Sequence, residues 1–182
     1  AYSPPGEPWP GWLFYASVHF QPSNTWWTDF AVLNRYVTRV QSFLQSGQPD
    51  NDVLLHFPFH DALAVRGPGL LTHFGAERRD LPGAPFDAAF DTLQGRGFAF
   101  DFVSDRLLRE AKVADGTLQT SGGPYRALVL PAARSIPLET FAHALALARA
   151  GATVIAYRGL PEEVPGLHDL ESRRARLRQL AE

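Results

Sequence analysis

The sequence RALVLP at residues 126–131 decides the fold class, because a nearly continuous apolar strand is typical of a parallel sheet that is covered on both faces. The segment from Pro137 to Ala150 follows with apolar residues at helical spacing, and Gly151 marks the end of that helix. A second apolar strand is predicted from Ala152 to Tyr157. Strand, helix and strand in this order form a parallel crossover unit. The sequence therefore predicts an α/β fold, an open parallel sheet with helices on both faces.

The same alternation extends through the residues before this unit and brings the predicted parallel sheet to four strands. Ser104 and Asp105 can cap a short helix, and Asp115-Gly116 suits the tight turn of a hairpin. The further predicted elements are strands at 52–58 and 97–103, helices at 85–94 and 104–110, a hairpin over 112–119 and a helix over 167–181.

A strand and a long helix are predicted near the N-terminus. The strand, residues 12–20, is dense in aromatic and β-branched side chains, and the helix runs from about Trp26 to Ser46 with a broad apolar face. Such a face implies packing against a sheet or a barrel. The polar run at 23–25 can cap the start of this helix, and Gly47 is predicted to end it in a left-handed conformation.

The polar stretch at 48–52 is predicted to separate two domains, residues 1–49 and residues 50–182. The chain contains no Met, and its last residues still show a helical pattern. We therefore expect it to be a piece of a longer protein. The alternative is a mature protein that has been trimmed at its N-terminus.

Composition and charge exclude several classes of function. The 182 residues include 17 Lys and Arg and 19 Asp and Glu, and the net charge of −2 gives no field that would attract nucleic acid or an anionic membrane. The absence of Cys excludes disulfides and thiolate metal sites. No apolar run approaches the ~20 residues that a membrane-spanning helix needs. The apolar share of 45% and the charged share of 20% are ordinary for a globular domain.

The run HFQPSNTWW at residues 19–27 is the strongest candidate for a binding site. His19, Asn24, Trp26 and Trp27 gather at a strand-to-helix junction, where folding alone does not require these residue types. Flat indole faces can cover the apolar faces of a pyranose ring, while amide and imidazole groups bond its hydroxyls. The run therefore predicts part of a saccharide pocket. The alternative is that both tryptophans anchor the helix to a core.

Other signatures of catalysis are missing from the sequence. The glycines at 95–97 lead into a strand, and Gly122-Gly123 lacks the Lys and the Ser or Thr of a phosphate loop, so both are interpreted as turns. No Ser has the flanking glycines of a nucleophile elbow. His56 and His60 have a helical spacing, but His56 falls in a predicted strand and Pro58 lies between them. They are interpreted as structural or sugar-contacting side chains, and no metal site is predicted.

Two groups of motifs follow one another along the chain. The first is the Asn24-Thr25-Trp26-Trp27 block with the helix behind it, and the second is a series of strand motifs at 52–55, 100–105, 125–131 and 151–155. The first group resembles the end of the (β/α)8 catalytic barrel in glycoside hydrolase family 106, the α-L-rhamnosidases of plant-polysaccharide degradation. The second resembles the domain that follows the barrel there, which is similar to class I glutamine amidotransferases and flavodoxin-like folds.

The resemblance implies an enzyme that cuts terminal L-rhamnose from plant-type oligosaccharides or polysaccharides with inversion. Two carboxyl groups would then stand roughly 6.5–9.5 Å apart with a water molecule between them. The catalytic carboxylates of the family lie on earlier barrel strands, upstream of this fragment, so the isolated fragment is expected to be inactive. Amidotransferase activity is excluded because the chain has no Cys nucleophile.

The resemblance also implies which residues contact the sugar. Four would line the pocket from the last loop of the barrel, and two acidic residues would close it from the second domain. Asp105 has the alternative role of a helix cap, and Asp101 that of an edge residue in an apolar strand. The implied substrate-binding residues are His19, Asn24, Trp26, Trp27, Asp101 and Asp105.

No cofactor is expected within this piece, although a Ca²⁺ ion is compatible with the whole enzyme. The expected partners are a carbohydrate and the remainder of the same polypeptide, with no nucleic acid and no membrane, and the expected location is secreted or periplasmic. The alternative functions are a non-catalytic carbohydrate-binding or oligomerisation module and a β-galactosidase-like glycosidase.

Overall fold

The computed structural model of the protein describes residues 5–8, 11, 12, 20, 22, 24–64 and 84–182. Contacts between Cα atoms divide the chain into an N-terminal unit, residues 1–48, and a C-terminal unit, residues 49–182. Most of the strand predicted at 12–20 lies outside the described residues, and so does His19. The barrel origin of the N-terminal unit stays a prediction.

The N-terminal unit contains a short 3-10 helix, Trp27–Asp29, and a long helix α1, Phe30–Ser46. The prediction that Gly47 ends α1 in a left-handed conformation is wrong, because Gly47 is extended with φ −112°. The Ser46 hydroxyl instead donates a hydrogen bond to the Phe43 carbonyl at 2.8 Å. That bond satisfies one of the terminal carbonyls that a left-handed glycine turn otherwise serves.

The apolar face of α1 is exposed. None of its residues is buried. A helix with one broad apolar face gains most of its stability from packing that face against another element. The large apolar residues that α1 exposes are Val32, Leu33, Tyr36, Val37, Phe43 and Leu44.

The C-terminal unit contains two sheets and the helices that join their strands. The elements in chain order are β1 Val53–His56, α2 Phe59–Ala64, α3 Ala84–Gly95, β2 Phe100–Val103, α4 Asp105–Glu110, β3 Lys112–Ala114, β4 Thr117–Thr120, β5 Gly123–Tyr125, β6 Ala127–Pro131, α5 Leu138–Arg149, β7 Thr153–Tyr157 and α6 Leu170–Ala181. The larger sheet is parallel, with four strands in the order β2-β1-β6-β7, and the smaller sheet is antiparallel, with the order β3-β4-β5.

Successive side chains of β1 point to opposite faces of the parallel sheet and enter two separate cores. Leu54 packs in one core with Leu108 of α4 and Ala144 of α5. Leu55 packs in the other core with Phe86 of α3. Helices therefore cover both faces, and the predicted α/β fold with an open parallel sheet is confirmed.

The small antiparallel sheet was predicted only in part. Asp115 and Gly116 form the tight turn between β3 and β4, with φ values of 52° and 73°. The interpretation of Gly122-Gly123 as a turn is wrong for Gly123, which begins β5. Buried Tyr125 pairs with Leu118 across the two strands, and this apolar pair supports a third strand despite the glycines.

A third apolar cluster holds α6 against α5 and contains Ile136, Phe141, Val164 and Leu177. The helix begins at Leu170, three residues later than the prediction, because Asp169 takes a left-handed conformation with φ 45°. Among the described helices, none has both the length and the apolar character that crossing a membrane requires.

Candidate functional site

The carboxyl ends of β1 and β6 are the place where this sheet is best suited to hold a ligand. The two strands are neighbours, but the chain continues from β1 to β2 on one side and from β6 to β7 on the other. Open α/β sheets bind ligands at such a point, beyond the carboxyl ends of the strands. His56 is the last residue of β1, and residues 132–135 follow β6.

A cluster of ionisable side chains lies at this edge. His56 Nε2 is 3.1 Å from Asp105 Oδ1, and His60 Nε2 is 3.6 Å from Asp105 Oδ2. The His56 side chain is 2% exposed, whereas that of His60 is 31% exposed. Asp105 therefore joins a buried histidine of β1 to a partly exposed histidine of α2.

The environment of Asp105 lowers its pKa below the ordinary value. Burial acts in the opposite direction and raises the pKa, but the hydrogen bond and the charge of His56 outweigh it, with smaller contributions from Thr140 and His60. The Thr140 hydroxyl lies beside the carboxylate, although its geometry falls short of a hydrogen bond. Asp105 is thus an ionised acceptor that fixes the orientation of His56.

Asp61 of α2 contacts the loop that follows β6. Its Oδ2 accepts the backbone N–H of Arg134 at 2.6 Å, and its Oδ1 accepts that of Ser135 at 2.8 Å. Two adjacent backbone N–H groups of this kind are suited to bind an anion. Because the chain's own carboxylate fills them, they stabilise the loop and leave no free oxyanion site at these two groups.

The side chains of the ionisable cluster pair with one another. Across residues 24–64 and 84–182, no group of three His, Asp or Glu side chains is placed to hold a metal ion. His143 of α5 has its Nε2 2.9 Å from the Ala111 carbonyl. The His56–Asp105 pair is thus an internal hydrogen bond between the end of β1 and the start of α4.

Asn24 and the two tryptophans lie together in the N-terminal unit. Asn24 Oδ1 accepts the Trp26 backbone N–H at 3.4 Å, and the Asn24 carbonyl accepts that of Trp27 at 3.1 Å. All three residues are partly exposed. The polar run was predicted to cap the long helix, but Asp29 is its N-cap residue and no side chain caps it. Asn24 instead closes the turn that presents the tryptophans.

The tryptophan rings belong to an aromatic cluster with Phe20 and Phe30. The Trp27 ring stacks on Phe30, with centroids 5.2 Å apart and planes 22° apart. Trp26 meets Phe20 edge-on at 5.2 Å and Phe30 at 5.7 Å. Among the described residues, the ring neighbours of both tryptophans are aromatic, and both tryptophans stay partly exposed. The cluster therefore retains accessible indole surface.

Asp101 has different partners from Asp105. Its Oδ2 accepts hydrogen bonds from Asn51 Nδ2 and from the Tyr125 hydroxyl, both at 2.8 Å. Burial, followed by the bond to Asp101, raises the pKa of Tyr125 to about 12. The bond from Tyr125 joins edge strand β2 to the antiparallel sheet. Among the described residues, Asp101 and Asp105 have no hydrogen-bond or ion-pair partner in common.

The structure describes five of the six residues that were predicted to contact the sugar. His19 lies outside the described residues. Asn24, Trp26 and Trp27 form one cluster, while Asp101 and Asp105 stand apart within the C-terminal unit. Ser104, not Asp105, caps α4 by accepting the Leu107 N–H. Sequence reasoning placed His56 within a strand and Asp105 at the start of a helix, and it missed their partnership.

Comparison with known proteins places the chain in a family. No solved structure matches it. A protein of Formosa agariphila named "Putative beta-glucuronidase" is 27% identical over 181 residues, which are 97% of this chain and 14% of that protein. The chain thus spans about a seventh of the length of that relative. The family model described as alpha-L-rhamnosidase, glycoside hydrolase family 106, matches residues 1–182. The chain therefore belongs to glycoside hydrolase family 106.

Proposed function

We propose that this chain is part of an inverting α-L-rhamnosidase that acts on plant-type oligosaccharides or polysaccharides, and that Asn24, Trp26 and Trp27 contact the sugar. The family match along all 182 residues carries the proposal. The partly exposed indoles beside an amide support it, because they offer the apolar face and the polar groups that a pyranose needs. His19 is a further contact on the same reasoning from sequence.

A neutral sugar fits the site at Asn24, Trp26 and Trp27 better than a glucuronide. The sequence from Phe20 to Asn34 contains no Lys or Arg, and Asp29 is its one charged residue. Recognition of a carboxylate is usually achieved with Arg or Lys, which can pair with its charge. L-Rhamnose carries a methyl group in place of a hydroxymethyl group, and an indole can cover that methyl. The charge pattern thus favours rhamnose over the sugar in the relative's name.

The exposed apolar face of α1 is the proposed contact with the remainder of the same polypeptide. In the proposal, the catalytic carboxylates belong to polypeptide outside these 182 residues, and the apolar face of α1 packs against that part of the same protein. The exposed residues Tyr36, Phe43 and Leu44 would then become buried. The chain on its own would be inactive, and a polysaccharide substrate fits a secreted or periplasmic enzyme.

Hydrolysis by the complete gene product tests the proposal. Aryl α-L-rhamnoside, aryl β-D-glucuronide and aryl β-D-galactoside are compared at equal concentration, and the rhamnoside should be cleaved fastest. Early NMR spectra of the products should show the β-anomer of rhamnose, because inversion changes the anomeric configuration. Preference for the glucuronide or the galactoside would overturn the sugar assignment. Cleavage of none of the three would favour the non-catalytic module.

A further inference from the structure

A cleft of about 360 Å³ lies within the C-terminal unit, between edge strand β2 and the turn that joins β4 to β5. Every residue that lines it belongs to that unit. Ligand pockets in proteins measure roughly 300–1,000 Å³, so this cleft is at the small end of the range. It has room for a single group of about the size of one amino-acid side chain.

The inner wall of the cleft is apolar. Leu54 and Asp101 are partners in the parallel register, and Val103 lies two residues further along β2, so these three side chains point to the same face of the sheet. Leu54 and Val103 pack in one core with partly buried Leu107 of α4. The Phe102 side chain points to the opposite face, where its ring contacts those of α3, and it gives the cleft no aromatic surface.

The carboxylate in this cleft is held in place before any ligand arrives. Both hydrogen bonds to Asp101, from Asn51 and from Tyr125, reach the same oxygen, Oδ2. Oδ1 receives no hydrogen bond from any residue that the structure describes. A carboxylate with one oxygen fixed and the other unused is a rigid acceptor, since little side-chain entropy remains to be lost on binding.

The turn at the rim of the cleft is held by its own hydrogen bonds. The Thr120 hydroxyl donates to the Gly123 carbonyl at 3.1 Å and accepts the Gly122 N–H at 3.0 Å. A Cβ atom on Gly122 would come within 3.1 Å of the Tyr125 hydroxyl, so glycine keeps the cleft open there. Ser121 is exposed on this turn, where its hydroxyl can accept a hydrogen bond.

The lining selects the charge of the ligand. Among the described residues, no Lys, Arg or His lines the cleft, so nothing in the wall offsets the negative charge of Asp101. A neutral ligand that covered the carboxylate would remove its water without supplying a counter-charge, which is costly, and an anion would also be repelled. One carboxylate is too few for a divalent cation, which takes several oxygen ligands. A monovalent organic cation meets these conditions.

The apolar wall selects the shape of that cation. An arginine side chain carries its charge at the end of an apolar stem, which can lie along apolar surface while the head bonds a polar group. The guanidinium is more weakly hydrated than an ammonium group, so it loses less on entering a partly apolar cleft. Its planar fork of N–H donors can reach two acceptors, and the cleft offers Asp101 Oδ1 and the Ser121 hydroxyl.

We propose that the cleft between β2 and the β4–β5 turn binds an arginine side chain of a partner polypeptide. The guanidinium bonds Asp101 Oδ1, and the methylene stem packs along Leu54 and Leu107. The site uses only residues of the C-terminal unit and does not depend on which sugar the enzyme cleaves.

Titration of the 182-residue chain with n-butylguanidinium, followed by the amide NMR signals, tests this site. Saturable shifts should appear at Asp101, Leu107, Ser121 and Gly122, with a millimolar dissociation constant. The matched neutral probe is n-butylurea, which has nearly the same shape and should bind at least about tenfold more weakly. No shift at these amides, or equal binding of the two probes, would overturn the proposal.

Salt dependence gives a second measurement on the unaltered chain. Raising NaCl from about 20 mM to about 500 mM should weaken butylguanidinium binding about threefold or more, because the added ions screen the attraction between the two charges. Binding that does not change with salt would show that the charge of Asp101 does not hold the probe.

Asp101→Asn removes the charge and keeps an oxygen that can accept the Tyr125 hydroxyl. It should weaken butylguanidinium binding at least about tenfold. The control is Asp50→Asn, which makes the same change of net charge at an exposed residue and should leave binding within about twofold. Unchanged binding in a folded Asp101→Asn variant would contradict the site. Should that variant unfold, the comparison with butylurea and the salt dependence still decide.

A third probe distinguishes a polypeptide partner from a free organic cation. Nα-acetyl-arginine N-methylamide carries main-chain groups on the same stem, and it should bind within about threefold of butylguanidinium if the cleft accepts a side chain from a polypeptide. Binding of butylguanidinium without binding of the arginine amide would overturn the assignment to a polypeptide and leave a small organic cation as the ligand.

Discussion

His56 Nε2 and Asp105 Oδ1 lie 3.1 Å apart and connect the carboxyl ends of two neighbouring parallel strands. The histidine is almost fully buried at the end of β1, and the aspartate opens the helix that follows β2. A buried imidazole needs a partner for its ring nitrogen, and the ionised carboxylate provides one. The pair therefore fixes the edge of the sheet at its topological switch point.

Asp105→Ala should destabilise the fold through His56. Removal of the carboxylate leaves a buried ring nitrogen without its partner, which costs about 2 kcal/mol of the free energy of unfolding. Urea denaturation followed by circular dichroism measures this cost. Asp50→Ala is the control, because Asp50 is exposed, and its effect should stay within about 0.5 kcal/mol. Equal effects of the two substitutions would show that the His56–Asp105 bond adds no stability.

Glu163 should contribute stability that disappears in acid. Hydrogen bonds from Arg174, together with the Val164 backbone N–H, lower the pKa of Glu163 from 4.5 to about 2. A carboxyl whose folded-state pKa is depressed stabilises the fold above its unfolded value, and the contribution is lost as the pH falls from about 4.5 towards 2. Glu163→Gln should therefore lower the melting temperature at pH 6 and have little effect near pH 2.

The matched control for this pH dependence is Glu162→Gln. Glu162 is the exposed neighbour of Glu163, and no side chain in the described part of the chain pairs with its carboxylate. Its substitution should leave the melting temperature nearly unchanged at both pH values. A Glu163→Gln effect that is the same at pH 6 and at pH 2 would argue against the ion pair with Arg174.

Tyr125→Phe should weaken the connection between the two sheets. It removes the hydroxyl that donates to Asp101, at a cost of about 1 kcal/mol near neutral pH. Because the pKa of Tyr125 is raised to about 12, its contribution is present below pH 10 and is lost as the pH rises from about 10 to 12. Phenolate absorbance should show a tyrosine titrating near pH 12 in the wild type that is missing from the variant.

Tyr157→Phe is the control for the hydroxyl of Tyr125. The Tyr157 ring lies 5.2 Å from the Arg158 guanidinium, and this contact survives loss of the hydroxyl. The control should therefore keep wild-type stability. If Tyr125→Phe is as stable as Tyr157→Phe at pH 7, the bond to Asp101 does not couple the sheets.

The sequence alone predicts most of the regular elements, and the reasons are local. The apolar run of β6 and the helical spacing in α5 are visible within single windows of sequence, and Asp115-Gly116 has few conformations other than a tight turn. Strand β5 was not predicted, because Gly123 and Pro124 have low strand propensity. Its strand conformation depends on pairing with β4, which no local pattern shows.

The contacts of the candidate site depend on tertiary structure and were harder to predict. His56 and Asp105 are 49 residues apart, and their pairing follows from the strand order, which periodicity does not specify. Asp101 stands in a strand where a sequence pattern cannot show which polar neighbours reach it. Asn24, Trp26 and Trp27 were recognised together because they are close in sequence, and one turn suffices to gather them.

The most direct test of the account uses the double variant Trp26→Ala/Trp27→Ala in the complete gene product. Its kcat/KM for an aryl α-L-rhamnoside should fall at least about tenfold, since the sugar loses its indole contacts. The control Gln45→Ala, an exposed polar residue of the same unit, should stay within about twofold of the wild type once both variants are shown to be folded. A folded double variant with wild-type kcat/KM would contradict the claim that these tryptophans contact the sugar.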